Sequence, residues 1–89
     1  MARHVRITND YEIEWREGRR VHRWLDGATR ADGATKWRST RAIASFTNLP
    51  EDRVRYLCSR HPKIVISTKE KEVWGISGRA RPEDESGIV

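Results

Sequence analysis

Apolar residues recur at helical spacing in two neighbouring segments in the middle of the chain. In the second segment they fall at positions i, i+3 and i+4, which places their side chains on one face of a helix. The residues are Ile43, Ala44 and Phe46 in the first segment and Val54, Leu57 and Cys58 in the second. The pattern predicts two short amphipathic helices within residues 40–59, with Phe46 available to the packed interior.

Residues that favour a tight turn separate these two helices. Asn48 tolerates the left-handed backbone conformation, and Pro50 fits the first turn of a new helix, where its missing N–H costs nothing. Ser39 or Thr40 is expected to cap the first helix by accepting a hydrogen bond from a free N–H. Pro62 should end the second helix, because the residue before a proline is disfavoured in the helical region.

The segment after the helix pair alternates in the manner of β-strands. Residues 63–67 (KIVIS) and 72–76 (EVWGI) are rich in β-branched residues, and the polar residues 68–71 lie between them. Two such runs joined by a polar tip predict a β-hairpin. Residues 36–38 form another short strand candidate ahead of the helix pair.

The N-terminal third gives two different signals. Residues 5–15 alternate apolar and polar side chains, which predicts a strand or short hairpin: either an extra strand that caps the core or an edge for homodimerisation. Residues 17–27 predict a helix with a buried stripe of Val21, Trp24 and Leu25, ended by Gly27. Residues 28–35 predict a loop with a turn at Asp32-Gly33.

The division into parts follows from these patterns. We expect a strand-like extension over residues 1–15, one domain over residues 16–78, and a disordered charged tail over residues 79–89. The chain has 89 residues, which suits one small domain with a small core.

Charge and cysteine content narrow the class of protein. The formal net charge is +5, and residues 31–78 carry nine basic and five acidic side chains, so the surplus belongs mostly to the segment with the helix pair. Such a balance suits a polyanionic partner. A single cysteine indicates a reducing compartment, and no apolar run approaches the length of a membrane span. We therefore expect a cytoplasmic protein, nucleoid-associated or, in a eukaryote, nuclear, with no membrane partner.

The helix pair resembles the helix-turn-helix of DNA-binding proteins. The matching positions are Ile43, Ala44, Asn48, Leu49, Val54 and Leu57, with Asn48 in place of the commoner glycine. With the hairpin that follows, the order of elements resembles the winged helix, a small α+β fold with three helices and a C-terminal β-hairpin wing. The resemblance covers residues 16–78 and implies that Trp37 and Trp74 lie side by side on paired strands, closing one end of the core.

The resemblance also implies a binding surface for double-stranded DNA and the role of a small transcriptional regulator. Helix 50–60 would enter the major groove, and the wing 63–76 would contact the backbone. The candidate DNA-binding residues are Arg53, Arg55, Tyr56, Ser59 and Arg60 on the second helix, Arg38, Thr40 and Arg41 near the start of the first, and Lys69 and Lys71 at the wing tip. Arginine offers the forked donor that matches guanine O6 and N7.

Other functions have weaker support in the sequence. Cys58 and His61 supply only two ligands where a zinc site requires four, and no residue pattern indicates an enzyme or a cofactor. The acidic pair Glu51 and Asp52 at the start of the second helix complements the helix dipole, but it also suits a winged helix that binds proteins. A protein-interaction module is therefore the main alternative. RNA binding is weaker, because Tyr56 alone among the aromatic residues is expected to face outward.

Overall fold

The computed structural model describes residues 2–31 and 34–81, which form three helices and one three-stranded antiparallel sheet. The elements in chain order are α1 (Ala2–Arg30), β1 (Trp37–Ser39), α2 (Thr40–Thr47), α3 (Glu51–Arg60), β2 (Ile64–Ile66) and β3 (Val73–Ile76). The strand order is β1-β3-β2. This α+β arrangement is compatible with the one expected from the sequence. The predicted turn at Asp32-Gly33 lies outside the described residues.

The N-terminal region differs most from the prediction. The strand expected over residues 5–15 is wrong, because α1 runs unbroken from Ala2 to Arg30. The helix also continues past Gly27, the residue expected to end it. A strand would need a neighbouring strand to pair its N–H and C=O groups, whereas a helix pairs them within itself. The predicted stripe is confirmed further along, where Val21 and Leu25 are fully buried.

The ends of α2 and α3 lie at the capping and turn residues that the sequence indicates. The Ser39 hydroxyl caps α2 by accepting a hydrogen bond from the Ala42 N–H at 3.0 Å. Asn48 ends α2 in the left-handed conformation with φ 60°, and its own N–H bonds to the Ala44 carbonyl. Pro50 lies at the N-cap position of α3 in extended conformation, one residue before the first turn in which it was expected, and His61 ends α3 in extended conformation. Each of these residues has the conformation that its chemistry favours.

The predicted hairpin is confirmed: it consists of β2 and β3. β3 is also the central strand of the sheet. Ile64 lies opposite Ile76 on β2 and β3, while Arg38 of β1 lies opposite Trp74 on the other side of β3. The polar residues between β2 and β3 form the hairpin tip. Glu72, directly before β3, has a positive φ of 63°. This conformation is strained for a residue with a side chain, so the contacts around Glu72 must hold it there.

The core lies between the three helices and one face of the sheet. Its buried residues are Val21, Leu25, Ile43, Val54, Leu57, Cys58, Ile64, Trp74 and Ile76, with Trp24, Ala44 and Leu49 packed against them. Phe46 does not join this core. Its side chain is 70% exposed and stacks on Trp24 with ring centroids 5.1 Å apart.

The two tryptophans of the sheet do not lie side by side. Trp37 pairs with Gly75 and Trp74 with Arg38 across adjacent strands, so the alternation of side chains places the two indoles on opposite faces. The expectation that they close one end of a shared core is therefore wrong. Trp37 instead covers Gly75 on the outer face, where its Nε1 donates to the Arg81 carbonyl at 3.1 Å.

The first residues assigned to the tail are ordered against the body. Arg79 donates to the Asp26 carbonyl at 2.9 Å and forms an ion pair with the Asp26 carboxylate at 2.8 Å. Its guanidinium also reaches the buried Thr29 hydroxyl at 3.1 Å. The packed part of the chain thus extends to Arg81, and the rest of the predicted tail lies outside the described residues.

Candidate nucleic-acid interface

The carboxylate of Glu72 joins three elements at the edge of the candidate surface. It accepts a hydrogen bond from the Thr40 hydroxyl at 2.7 Å, and two bonds from Arg55 Nε at 2.7 and 2.9 Å. Thr40 in turn accepts from Trp74 Nε1 at 2.8 Å. Arg55 also donates through Nη1 to Asp52 at 2.6 Å. The start of α2, the middle of α3 and the start of β3 are therefore tied together by one polar network.

This network shifts the titration of its charged members. The hydrogen bond from Thr40, and then the bond from Arg55, lower the pKa of Glu72 below its usual value. The same contact with Glu72, together with Asp52, raises the pKa of Arg55 further above its usual value. Both effects favour the ionised forms. Arg55 is therefore a permanently charged group held by two carboxylates at the surface.

A second group of α3 side chains faces α1 and is paired with acids there. Arg53 Nε donates to Glu17 at 2.6 Å, while Arg60 Nε lies 3.2 Å from a Glu14 oxygen. The Tyr56 hydroxyl also donates to Glu14, at 3.2 Å. The Tyr56 ring has a guanidinium on each side, with centroid distances of 5.3 Å to Arg53 and 5.0 Å to Arg60. These three predicted contact residues dock α3 on α1.

Two predicted contact residues have structural roles. Thr40 is only 1% exposed, and its hydroxyl already bonds to Glu72 and Trp74, so the expectation that it contacts phosphate is wrong. Arg38 donates to the Thr35 carbonyl at 2.8 Å and to the Ala28 carbonyl at 3.0 Å, near the end of α1. Its guanidinium therefore bonds one carbonyl in the last turn of α1 and one in the loop that follows.

Three predicted cationic side chains have no bonded partner among the described residues, and we call them uncommitted. Arg41, Lys69 and Lys71 are exposed, and within residues 11–31 and 34–81 none of their side chains forms an ion pair or hydrogen bond. Arg41 follows Thr40 and Lys71 precedes Glu72, so both flank the Glu72 network along the chain. Ser59 is exposed as well, and its hydroxyl donates to the Tyr56 carbonyl at 2.8 Å.

The candidate set therefore separates into two surfaces. Arg55 lies at the Glu72 network, with Arg41 and Lys71 next to it in sequence, whereas Arg53, Tyr56 and Arg60 turn towards α1. The acids that hold these residues are Glu14, Glu17 and Glu72, and no local pattern in the sequence indicates this role. The helical pattern of α3 identifies its buried face, but only the tertiary packing determines which of its outer residues meet another element.

The remaining chemistry-bearing groups form no further site among the described residues. Burial raises the pKa of the Cys58 thiol to about 12, so this thiol stays protonated within the core. No three His, Cys, Asp or Glu side chains of the described residues come together as metal ligands. No helix in the described part of the chain is both long and apolar enough to span a membrane.

Comparisons of the chain with family models, with curated proteins and with solved structures gave no match. The resemblance to helix-turn-helix proteins therefore depends on the residues of this chain and on the geometry described above.

Proposed function

We propose that this protein is a winged-helix DNA-binding protein that acts as a small transcriptional regulator. In this proposal α3 lies towards the major groove, and the hairpin, residues 64–76, is the wing that contacts the backbone. The observation that carries the proposal is the Glu72 network, because it joins Arg55 of α3 to the start of α2 and to the hairpin. Three elements that would need to meet one duplex together are thereby fixed relative to each other.

The uncommitted cations are suited to phosphate. Arg41 lies in the first turn of α2, where the helix dipole also favours an anion, while Lys69 and Lys71 lie at the hairpin tip. A cation that has no protein partner does not have to break an ion pair in order to bind phosphate. We therefore assign backbone contacts to these three residues and omit Arg38 and Thr40 from the DNA-binding set.

Arg55 is the residue we assign to base reading. It is the arginine of α3 that turns away from α1, and its side chain is 41% exposed. Its guanidinium presents the fork that matches the O6 and N7 atoms of guanine. In the free protein this fork is held by Glu72 and Asp52, so guanine must replace at least one of these carboxylates.

The ion pairs on α3 also favour the alternative function, a protein-interaction module. The three arginines of α3 each have a carboxylate partner, and Glu51 and Asp52 are exposed at the leading end of the helix. Carboxylates near the contact surface repel phosphate and lower the affinity for any duplex. A winged-helix module that binds another protein is consistent with this surface, and the following experiment distinguishes the two functions.

The first test is selection of duplexes from a random library, followed by titration of selected and scrambled duplexes at one fixed salt concentration. We expect a preferred sequence, and Arg55→Gln should weaken binding to it by about 1–3 kcal/mol with a much smaller effect on scrambled duplex. Arg30→Gln is the matched control, since it removes an exposed, ion-paired arginine at the far end of α1.

The variant Arg55→Gln also leaves Glu72 without its cation, which would repel every duplex. The double variant Arg55→Gln, Glu72→Gln removes this repulsion, and the preference for the selected sequence should still be lost. If selection yields no preferred duplex, or if the variants weaken all duplexes equally, base reading by α3 is wrong and the protein-interaction function is favoured.

The second test measures the salt dependence of duplex binding. Three phosphate contacts predict a slope of about −3 in a plot of log affinity against log salt concentration. Lys69→Gln and Lys71→Gln should each reduce the steepness by about one. Lys63→Gln is the control, because Lys63 is an exposed lysine at the base of the same hairpin. An equal effect of all three substitutions would show that net charge, not the hairpin tip, determines binding.

A further inference from the structure

Two aromatic side chains of α1 lie exposed next to a groove. Tyr11 is 76% and Trp15 is 59% exposed, and they are one helical turn apart on the same side of the helix. The groove, of about 480 Å³, lies between this part of α1 and the C-terminal end of α3, with Leu57 and Pro62 among its lining residues. Gly18 also lines the groove, and a Cβ added at Gly18 would lie 3.9 Å from the Leu57 side chain.

The charges of α1 change sign along the helix next to this groove. Residues 11–17 carry three acids and one arginine, whereas residues 19–23 carry three arginines and no acid. Glu12 and Arg23 are eleven residues apart, which is about three turns, so they lie on the same side of α1. Within the described residues, Arg23 is exposed and has no ion pair or hydrogen bond.

We propose that two copies of this chain associate through α1, with the two helices antiparallel and Tyr11 and Trp15 of each copy covered by the other. In this arrangement Glu12 of one copy, whose contact with Arg16 is a loose 3.9 Å pair at the surface, faces Arg23 of its partner, while Glu14 and Glu17 keep their partners on α3. A two-fold axis repeats each contact, so the complementary charges meet twice. A parallel pair would instead place acids against acids and arginines against arginines.

The same charges argue for a second copy over a nucleic acid at this surface. Glu12 lies beside the exposed aromatic residues, and in the antiparallel pair it meets Arg23 of the second copy. The segment 19–23 of a second copy offers exposed arginines to the rings of Tyr11 and Trp15 and to Glu12. This inference does not depend on DNA binding, because the surface lies apart from the Glu72 network. One helix pair buries less area than a standard interface of about 800 Å² per partner, so we expect micromolar affinity.

Sedimentation equilibrium over a range of concentrations tests the proposal through charge reversal. The wild-type chain should approach twice its mass of 10.4 kDa as concentration rises. Glu12→Arg and Arg23→Glu should each weaken self-association at least tenfold, because each places like charges together at both ends of the pair. An equimolar mixture of the two variants should restore association, since each then offers the charge that the other lacks.

Trp15→Ala tests the apolar part of the same interface. It should weaken self-association at least tenfold, while Phe46→Ala, which removes an exposed ring on the opposite side of α1, should leave it unchanged. Circular dichroism melts should show that both variants fold. A chain that stays monomeric at hundreds of micromolar, or a mixture of charge variants that fails to associate, would overturn the proposal.

Discussion

The β1–β3 region, residues 37–76, and the N-terminal half of α1 use their aromatic residues in opposite ways. In the first region Trp74 is buried, and its Nε1 bonds to a threonine hydroxyl that is itself bonded to Glu72. In the second, Tyr11 and Trp15 are exposed although they follow the line of the buried stripe of α1. The first region buries its aromatic residues within the chain, whereas among the described residues the rings of the second remain largely exposed, with the Arg19 guanidinium 5.3 Å from the centre of the Trp15 ring.

The largest expected effect of a substitution follows from this contrast. Trp74→Ala should destabilise the protein by about 3–5 kcal/mol, because it leaves a cavity between hairpin and helices. It also removes the donor to the Thr40 hydroxyl. Trp15→Ala should change the stability of the monomer by less than about 0.5 kcal/mol, as exposed substitutions usually do. Urea unfolding of both variants at low protein concentration measures the two values.

The monomeric condition matters for this comparison, because self-association would add concentration-dependent stability to the wild-type chain. At low concentration the two variants therefore report on packing within one chain. Similar losses of stability in both variants would mean that Trp15 is packed into the body, and the contrast between the two regions would then be wrong.

Two glycines, Gly75 in β3 and Gly27 near the end of α1, give a second, smaller test of packing. A Cβ at Gly75 would lie 2.4 Å from the Ala80 Cβ and 3.0 Å from the Lys36 carbonyl oxygen, so neither neighbour can move without a backbone shift. Gly75→Ala should therefore cost about 1–3 kcal/mol. Gly27 has open space around it in a helix, and Gly27→Ala should stabilise the protein by about 0.5–1 kcal/mol.

Thermal unfolding of these two glycine variants shows whether the C-terminal residues pack on β3 as described. Gly75→Ala should lower the melting temperature, and Gly27→Ala should raise it. A neutral Gly75→Ala would mean that Ala80 and Trp37 do not cover this face of the sheet in solution.

The helix-turn-helix region could be predicted because its signals are short-range. Ser39 caps α2 three residues away, Asn48 supplies the left-handed residue, and the proline after His61 stops α3. Each signal acts within about four residues, so no knowledge of the rest of the fold is required. The hairpin is similar, because alternation and a polar tip are local features of its two strands.

In the N-terminal part of α1 one sequence pattern fits two structures. Tyr11, Ile13 and Trp15 alternate as in a strand, yet Tyr11 and Trp15 also have the i, i+4 spacing of a helix. The backbone hydrogen bonds determine which of the two structures forms. A strand here would have needed a partner edge, while the helix simply continues from residues that the core already holds.

The candidate site was predicted only in outline because its partners are distant in sequence. Arg55 and Glu72 are 17 residues apart, and Arg53 and Glu17 are 36 residues apart. Charge count alone does not indicate which arginines find a carboxylate, since 18 basic and 13 acidic residues allow many pairings. The uncommitted state of Arg41, Lys69 and Lys71 could therefore be found only from the folded chain.

A smaller effect is expected at the contact between α1 and the end of α3. His22 of α1 and His61 at the end of α3 stack with ring centroids 4.7 Å apart and planes 2° apart. Burial, followed by the charges of His22 and Lys63, lowers the pKa of His61 below its ordinary value of 6.5. The unfolded chain therefore binds a proton at this residue more readily than the folded chain does, so stability should fall as the pH decreases through 6.5.

Urea unfolding at pH 7.5 and pH 5.5 measures this effect, and an NMR titration of His61 gives its pKa directly. His61→Gln should make the stability less dependent on pH, whereas Lys63→Gln should only raise the pKa of His61 slightly. The carboxylates of Asp26, paired with Arg30 and Arg79, and of Glu72 do not interfere, because their lowered pKa values keep them ionised at pH 5.5. If His61 titrates at or above 6.5, the stack is open in solution, and the end of α3 is not held against α1 as described.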